Sequence, residues 1–445
     1  MNDFNDPNLP VGLVLFFLFG IAGVLGIAVT RNHRQTKAFQ QRLFAIAFTL
    51  RFAMSVLIYQ VGLVSVLKDE DGSGWIQGAY LSRQWERKGV GIFDLPLVLT
   101  DAFSGHHKGY TYLLGLLFYL TEVPARLPAA ALNCFIGALT VVFIYRVARS
   151  LFSEKIARQV GWWTTFMPSM IIWASQTVKE PTVIFLEIIA LYCCIRLKRD
   201  SLAIRHIAVC GLAIIFLIPF RFYAAYIAGA SILLTLLLPK IGKGKFKAGS
   251  ALAVATLVIP LLIASGVLIQ QETEFEKYNN LEGIQKFKID VATGIGGGSG
   301  VQSNYDLKTP SGFIISLAIG GAHLLLAPFP WQLGSGSLRL ILSFPELLVW
   351  WWLFFVGVVP GFYYLVRYRF SEVQALIFFM VGMGLLYSLM FGNVGLVFRQ
   401  RAQLLPWLLT FAVVGLERRR LKRLVAGGYR NRQIVDQALA GSGVR

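Results

Sequence analysis

The sequence predicts an all-α polytopic membrane protein, a bundle of about eleven transmembrane helices. Three observations predict it. Hydrophobic residues make up 56% of the 445 and charged residues only 15%, against roughly 25% charged in soluble domains, and mean hydropathy is +0.62. Apolar runs near the ~20 residues that a bilayer needs recur along the chain. The net charge of +19 is concentrated in the connections between alternate runs.

The first run, Val11 to Thr30, has an acidic leader and no basic segment before it, so it reads as a retained span and not a cleaved signal. Further spans are expected at 44–67, 126–146, 159–175, 181–197, 205–220, 223–239, 249–269, 346–366, 372–391 and 402–416. Two apolar stretches, 109–122 and 311–331, are bounded by outer segments and read as interfacial or re-entrant helices. The expected organisation follows: an extra N-terminal span and loop (1–43), a transmembrane core (44–270) with a first outer loop (68–125), and a second outer region (271–345) with a re-entrant helix at 311–327. C-terminal spans (346–416) and a basic tail (417–445) complete it. No inverted repeat of the transporter type is visible.

Orientation rests on the basic residues. Segments 31–42, 146–159, 196–206, 240–247, 367–372 and 417–445 hold 26 of the 42 Lys and Arg but only five acids, a net +21 against −2 for the rest. The positive-inside rule makes that side cytoplasmic, with the N-terminus outside and the C-terminus inside. The tail then reads as an anchor against anionic lipid and not as a nucleic-acid patch. Cys134, Cys193, Cys194 and Cys210 lie in apolar segments and read as packing residues.

Chemistry is expected on the outer face, in 68–125, the short tip 176–180 and 270–345. Asp69, Glu70 and Asp71 follow the second span directly. Asp71, Trp75 and Ala79 are four apart, one stripe of a helix. A solvated acidic cap is one reading; a carboxylate reaching into a cleft as base or metal ligand is the other. The run "GIGGGSG" (294–300) lacks the strand and helix that would make it a phosphate cradle and reads as a flexible loop.

The pattern Asp71-x-x-x-Trp75-x-x-x-Ala79 after an early span resembles the first outer loop of GT-C type glycosyltransferases, membrane enzymes that use polyprenyl-phosphate sugars. The section from "GYTYLLGLLFYLTE" through "YRVARSLF" to Glu180 resembles their next part in texture, and the similarity covers roughly 44–200. Trp75 stands where tyrosine is usual, an extra span precedes the usual first one, and no second Asp-x-Asp pair is present. The late "PFPW" (328–331) and "GNVGLVFRQR" (392–401) are similar to a bacterial exopolysaccharide-cluster branch. The resemblance implies a GT-C-like bundle in a bacterial inner membrane. It implies transfer of a sugar from a polyprenyl-phosphate donor to a glycan, glycolipid or protein acceptor on the outer side. No cofactor is fixed by the residues; a divalent cation, Mg2+ or Mn2+, is the one the resemblance admits.

Such a transfer asks for little side-chain chemistry. A polyprenyl phosphate departs as a stabilised anion and needs cations to receive its charge, while the acceptor hydroxyl needs a base. One carboxylate and an arginine clamp are enough for inversion, unlike the two opposed carboxyl groups of a glycosidase. Asp71 is the expected base, with Glu180 assisting or holding a metal. Arg399 and Arg401 are the expected phosphate clamp, since the guanidinium fork donates two hydrogen bonds together; snorkelling to headgroups is the plainer reading. Lys179 and Arg221 are secondary candidates, Arg221 on a tight outer turn where anchoring serves equally.

Other candidates carry weaker signals. His106 and His107 are adjacent, which excludes the two-turn metal spacing on one helical face, and a solvated pair is the plainer reading. His323 would line the cleft or simply pack. Trp331 would stack on a sugar ring or sit in the interfacial belt. Arg51 and Glu187 fall within spans, where isolated charges are costly, and are expected to pair across the bundle; a proton path is the sharper alternative. Two other functions fit the same pattern: a polymerase or ligase of lipid-linked oligosaccharides, and a lipid flippase or transporter.

Overall fold

The computed structural model describes residues 8–30, 34–64, 72–103, 108–199, 203–238, 281–293, 305–335 and 344–426. The expected span 249–269, the loop 240–247, the glycine run and the tail beyond 426 lie outside the described residues. So do Asp69, Glu70, Asp71, His106 and His107.

Every regular element among the described residues is helical. In order they are α1 (Leu9–Val29), α2 (Arg34–Gln60), α3 (Gly72–Arg87), α4 (Leu95–Thr100), α5 (Lys108–Thr121), α6 (Arg126–Leu151), α7 (Glu154–Phe166) and α8 (Pro168–Ala174). Then come α9 (Glu180–Arg199), α10 (Ile204–Leu237), α11 (Leu281–Thr293), α12 (Pro310–Leu326), α13 (Phe344–Tyr368), α14 (Phe370–Leu389) and α15 (Val394–Ala426). Among the described residues, α1, α2, α6, α10, α13 and α14 are long and apolar enough to cross a bilayer. The chain is therefore a helical membrane protein, with six such helices described where the sequence predicts about eleven crossings.

Three departures from the expected threading have physical causes. The expected span 159–175 is two helices meeting at Met167 and Pro168. Proline has no amide hydrogen to continue the ladder, so the Thr164 and Thr165 carbonyls at the end of α7 need other donors. Arg51, on α2 and fully buried, supplies them: its Nη2 lies 3.3 Å from the Thr164 oxygen and its Nη1 3.5 Å from that of Thr165. The expected Arg51–Glu187 pair is thus corrected. Arg51 serves backbone carbonyls, and Glu187 lies in the field of Arg221.

Second, α2 starts at Arg34, inside the expected basic loop. Lys37 Nζ donates to the Ala28 carbonyl at 2.8 Å and Gln41 Nε2 to that of Val24 at 3.3 Å. Lys37 thereby satisfies one of the open carbonyls at the end of α1, and Gln41 binds one turn further back. Third, α15 begins eight residues before the expected span, capped by Asn393, whose Oδ1 accepts from the Leu396 amide at 3.2 Å. Arg399 and Arg401 consequently sit within a helix and not in a loop.

The corner of α10 positions the site. Backbone angles are non-helical at Arg221, two residues after Pro219. In a straight helix Cys210 and Thr235 would lie about 37 Å apart at ~1.5 Å per residue. Both instead meet the same stretch of α9: Cys210 Sγ contacts the Ala190 carbonyl, and Thr235 hydrogen-bonds Cys194. The helix therefore folds back on itself at Arg221, and both arms lie along α9.

Small residues allow the closest crossings, as expected where lipid removes the hydrophobic drive between helices. Gly357 and Gly361, one turn apart on α13, face Gly415 on α15; a Cβ on Gly361 would lie 2.0 Å from the Phe411 carbonyl oxygen. The basic clusters Arg196–Arg199 of α9 and Arg418–Arg420 of α15 mark one end of the bundle, and Glu180 stands at the other.

Candidate functional site

The connection from α8 to α9 is held from two sides. Ser55 on α2 donates to the Ser175 carbonyl at 2.7 Å, and Ser175 Oγ returns a bond to the Arg51 carbonyl at 2.8 Å. Tyr59 Oη accepts from the Thr177 amide at 3.0 Å. Asn133 Nδ2 on α6 reaches the carbonyls of Gln176 and Val178 at 2.6 and 2.8 Å and the Tyr110 hydroxyl at 2.9 Å. These bonds fix the first turn of α9, where Pro181 is compatible with a helix start and an acid meets the positive end of the helix dipole.

Glu180 fills that position and is fully buried. Its Oε1 lies 2.8 Å from Arg221 Nη2 and 3.1 Å from Arg399 Nε. Arg221 Nη1 donates to Tyr387 Oη at 2.8 Å, and that hydroxyl donates to Gln403 Oε1 at 2.8 Å. Lys179 adds a further positive field at Glu180. Glu187, two turns along α9, lies within electrostatic range of Arg221 and Tyr387. Four elements therefore meet: the start of α9, the corner of α10, the end of α14 and the first turns of α15. Glu180 Oε2 makes no hydrogen bond to the described residues. The Arg399 side chain, 14% exposed, and the half-buried Lys179 form the open edge of the cluster.

Of the residues the sequence singles out, Glu180, Lys179, Arg221 and Arg399 come together here. Arg401 does not. Two positions along a helix turns the side chain by about 200°, so it faces away from Arg399. Its Nη1 donates to the Ala327 carbonyl at 2.8 Å, and its guanidinium lies 4.7 Å from the Phe398 ring centroid and 5.4 Å from that of Trp350. Glu346, bonded to Ser169, sits nearby. Arg401 is thus tied into the packing between α13, α15 and the turn after α12, and the expected joint clamp of Arg399 with Arg401 is not what the helix geometry builds.

Trp75 is also covered: it is 1% exposed, with the Arg126 guanidinium 5.2 Å above its ring. Trp331 is 74% exposed and stacks on Phe329 at 4.7 Å, its outer face open. His323 packs on Phe391 at 4.2 Å, bonds the Ile319 carbonyl and meets Gln332 Nε2 at 3.0 Å. Next to the cluster, α11 abuts the turn before α15, where Gly392 meets the Lys288 carbonyl. Burial holds the Lys288 ammonium below the usual lysine range, and its Nζ donates to Ser316 Oγ at 3.1 Å.

Sequence reasoning missed Tyr387, Gln403 and Asn133. Gln403 carried a signal, its spacing of four from Arg399, which places both on one face of a helix. Tyr387 and Asn133 sit inside apolar runs without a pattern to mark them.

A divalent cation finds a poor ligand in Glu180, whose Oε1 already faces two guanidinium groups. Among the described residues no three His, Cys, Asp or Glu side chains converge on one point. The cluster is better suited to an anion: two planar donors from separate elements and a lysine, in a setting shielded from water, where charge interactions are strong. The chain matches no family model and no curated protein.

Proposed function

We propose that the chain is a membrane glycosyltransferase of the GT-C type. It moves a sugar from a polyprenyl-phosphate donor to a glycan, glycolipid or protein acceptor at the outer face of a bacterial cytoplasmic membrane. The observation that carries the reading is the convergence of Lys179, Arg221 and Arg399 on one buried carboxylate, at the end of the bundle opposite the basic clusters.

In this reading Arg399 and Lys179, at the open edge, receive the donor phosphate. Arg221 is held by Glu180 and Tyr387 and keeps the positive field in place without reorganisation during reaction. Glu180 is a positioning residue. The acceptor hydroxyl attacks the anomeric carbon as the bond from that carbon to the phosphate oxygen breaks. The phosphate leaves with the electron pair, its charge met by the cations. The hydroxyl proton passes to the Asp71 carboxylate, the proposed base from the first outer loop. The N-terminus lies outside and the C-terminus in the cytoplasm on this arrangement.

The test is labelled-sugar transfer by the purified protein in nanodiscs, with polyprenyl mono- and diphosphate donors compared. Asp71→Asn and Arg399→Gln are each expected to lower kcat by about a hundredfold or more in protein that still elutes as a folded particle. Wild-type rates in Asp71→Asn would remove that residue from the mechanism. Use of diphosphate donors alone would favour a polymerase or ligase, and lipid movement across vesicles without bond formation would favour a flippase.

A further inference from the structure

A second feature lies at the opposite, basic end of the bundle. A groove of about 500 Å³ opens between α7 and α15, within the roughly 300–1,000 Å³ of ligand clefts. Trp162, Trp163, Phe166 and Leu416 line it together with Glu417 and Arg420. We propose that this groove binds one anionic glycerophospholipid, its phosphate at Arg420 and Lys155 and an acyl chain along the aromatic wall.

Polarity changes along α7. Lys155 and Arg158 lie in its first turns and Trp162, Trp163 and Phe166 in its last. From Lys155 to Phe166 is about 16 Å at ~1.5 Å per residue. The wall thus passes from charged to aromatic along the helix axis, in the order in which a lipid passes from headgroup to tail. Trp162 and Phe166 stack at 5.7 Å, and Phe166 is 54% exposed, so the end of the wall away from Lys155 is apolar and open. A water-soluble ligand has no use for such a gradient.

Charge selects the headgroup. Glu417 is nearly buried; Lys155 Nζ lies 2.5 Å from it and Arg420 Nη1 3.9 Å. Beside them Glu154 is shared by Arg149 at 2.9 Å and Arg158 at 2.8 Å. Two carboxylates therefore face four cations, and the surplus is positive. Lys155 and Arg420 keep half or more of their side-chain surface exposed, 50% and 60%. Their long stems allow both heads to reach a phosphate above the groove. Basic pockets between helices on the positive side of a membrane protein bind anionic headgroups by this logic.

Native mass spectrometry of the full chain in detergent, titrated with phosphatidylglycerol or phosphatidylcholine of the same acyl chains, tests the proposal. The wild type is expected to retain phosphatidylglycerol at least about fivefold better. Arg420→Glu should bring the two lipids to parity. Gln159→Trp changes no charge and narrows the groove, which Gln159 also lines; it should lower retention of phosphatidylglycerol by a similar factor. Arg34→Glu, at an exposed arginine of the same basic side, should leave the preference intact. Equal retention of both lipids by the wild type, or an undiminished preference in Arg420→Glu or Gln159→Trp, would overturn the proposal. An equal loss in Arg34→Glu would overturn it too, by reducing the effect to general surface charge. Preference that emerges only after deletion of residues 427–445 would assign the groove to the chain's own tail and overturn it likewise.

Discussion

Arg221 Nη2 lies 2.8 Å from Glu180 Oε1, with both side chains buried and the two residues 41 positions apart in the chain. The pair joins the start of α9 to the corner of α10, and through Tyr387 and Arg399 to α14 and α15. A buried ion pair is a poor source of net stability, because desolvation offsets attraction. Its loss on one side only is another matter.

Glu180→Ala should therefore lower stability by about 3–5 kcal/mol, since it strands guanidinium groups in a buried setting. The double variant Glu180→Leu/Arg221→Met should recover much of that loss. Thermal unfolding in detergent of the single and double variants measures the coupling, and simple additivity would count against a shared network.

Arg399 and Arg401 should separate in their effects. Arg401→Ala leaves the Ala327 carbonyl without its donor and removes a cation between two rings, so a loss of about 2–4 kcal/mol is expected. Arg399→Ala, at the open edge, should change the melting temperature less and the transfer rate more. A melting series beside the nanodisc transfer assay decides it; equal losses of stability would place both arginines in the same packing role.

Arg51→Leu should cost about 2–6 kcal/mol, because two carbonyls at the end of α7 lose their donors at ~1–3 kcal/mol each. Pro168→Ala restores an amide that can bond the Thr164 carbonyl and continue the helix. In the Arg51→Leu background it should offset part of the loss, and a thermal double-mutant cycle checks this directly. No rescue would mean that Arg51 acts through something other than these carbonyls.

Gly361→Ala forces a Cβ to within 2.0 Å of the Phe411 carbonyl oxygen and should loosen the α13–α15 crossing. Gly384→Ala on α14 meets nothing within 4 Å and should be neutral or stabilising by up to ~1 kcal/mol. Comparing the two melting temperatures separates close packing from the general cost of a glycine in a helix.

Much of the helical layout was legible because apolar runs have few other uses at this length. The turn at Arg221 was legible too, since "PFRFY" interrupts two such runs. The break at Pro168 was not: hydropathy is blind to one missing amide inside "FMPSM". The same blindness produced the Arg51–Glu187 expectation, which matched a cation to a distant carboxylate and ignored carbonyl oxygens nearer in space. Arg399 and Arg401 look equivalent in the stretch between the expected spans 372–391 and 402–416; on a helix, two positions apart means opposite faces. Glu180 was legible from its place at the tip. Tyr387 entered the cluster through tertiary packing alone, and nothing in its local sequence could have announced it.

The fold-back of α10 bears on how the chain is made. On the proposed orientation the inserting helical pair carries a guanidinium across at its apex, and Glu180 precedes it in synthesis. Arg399 is synthesised far later. The acid can thus chaperone one arginine during translocation and admit the other on completion, so a chain halted before α14 should still insert α9 and α10 as a joined unit.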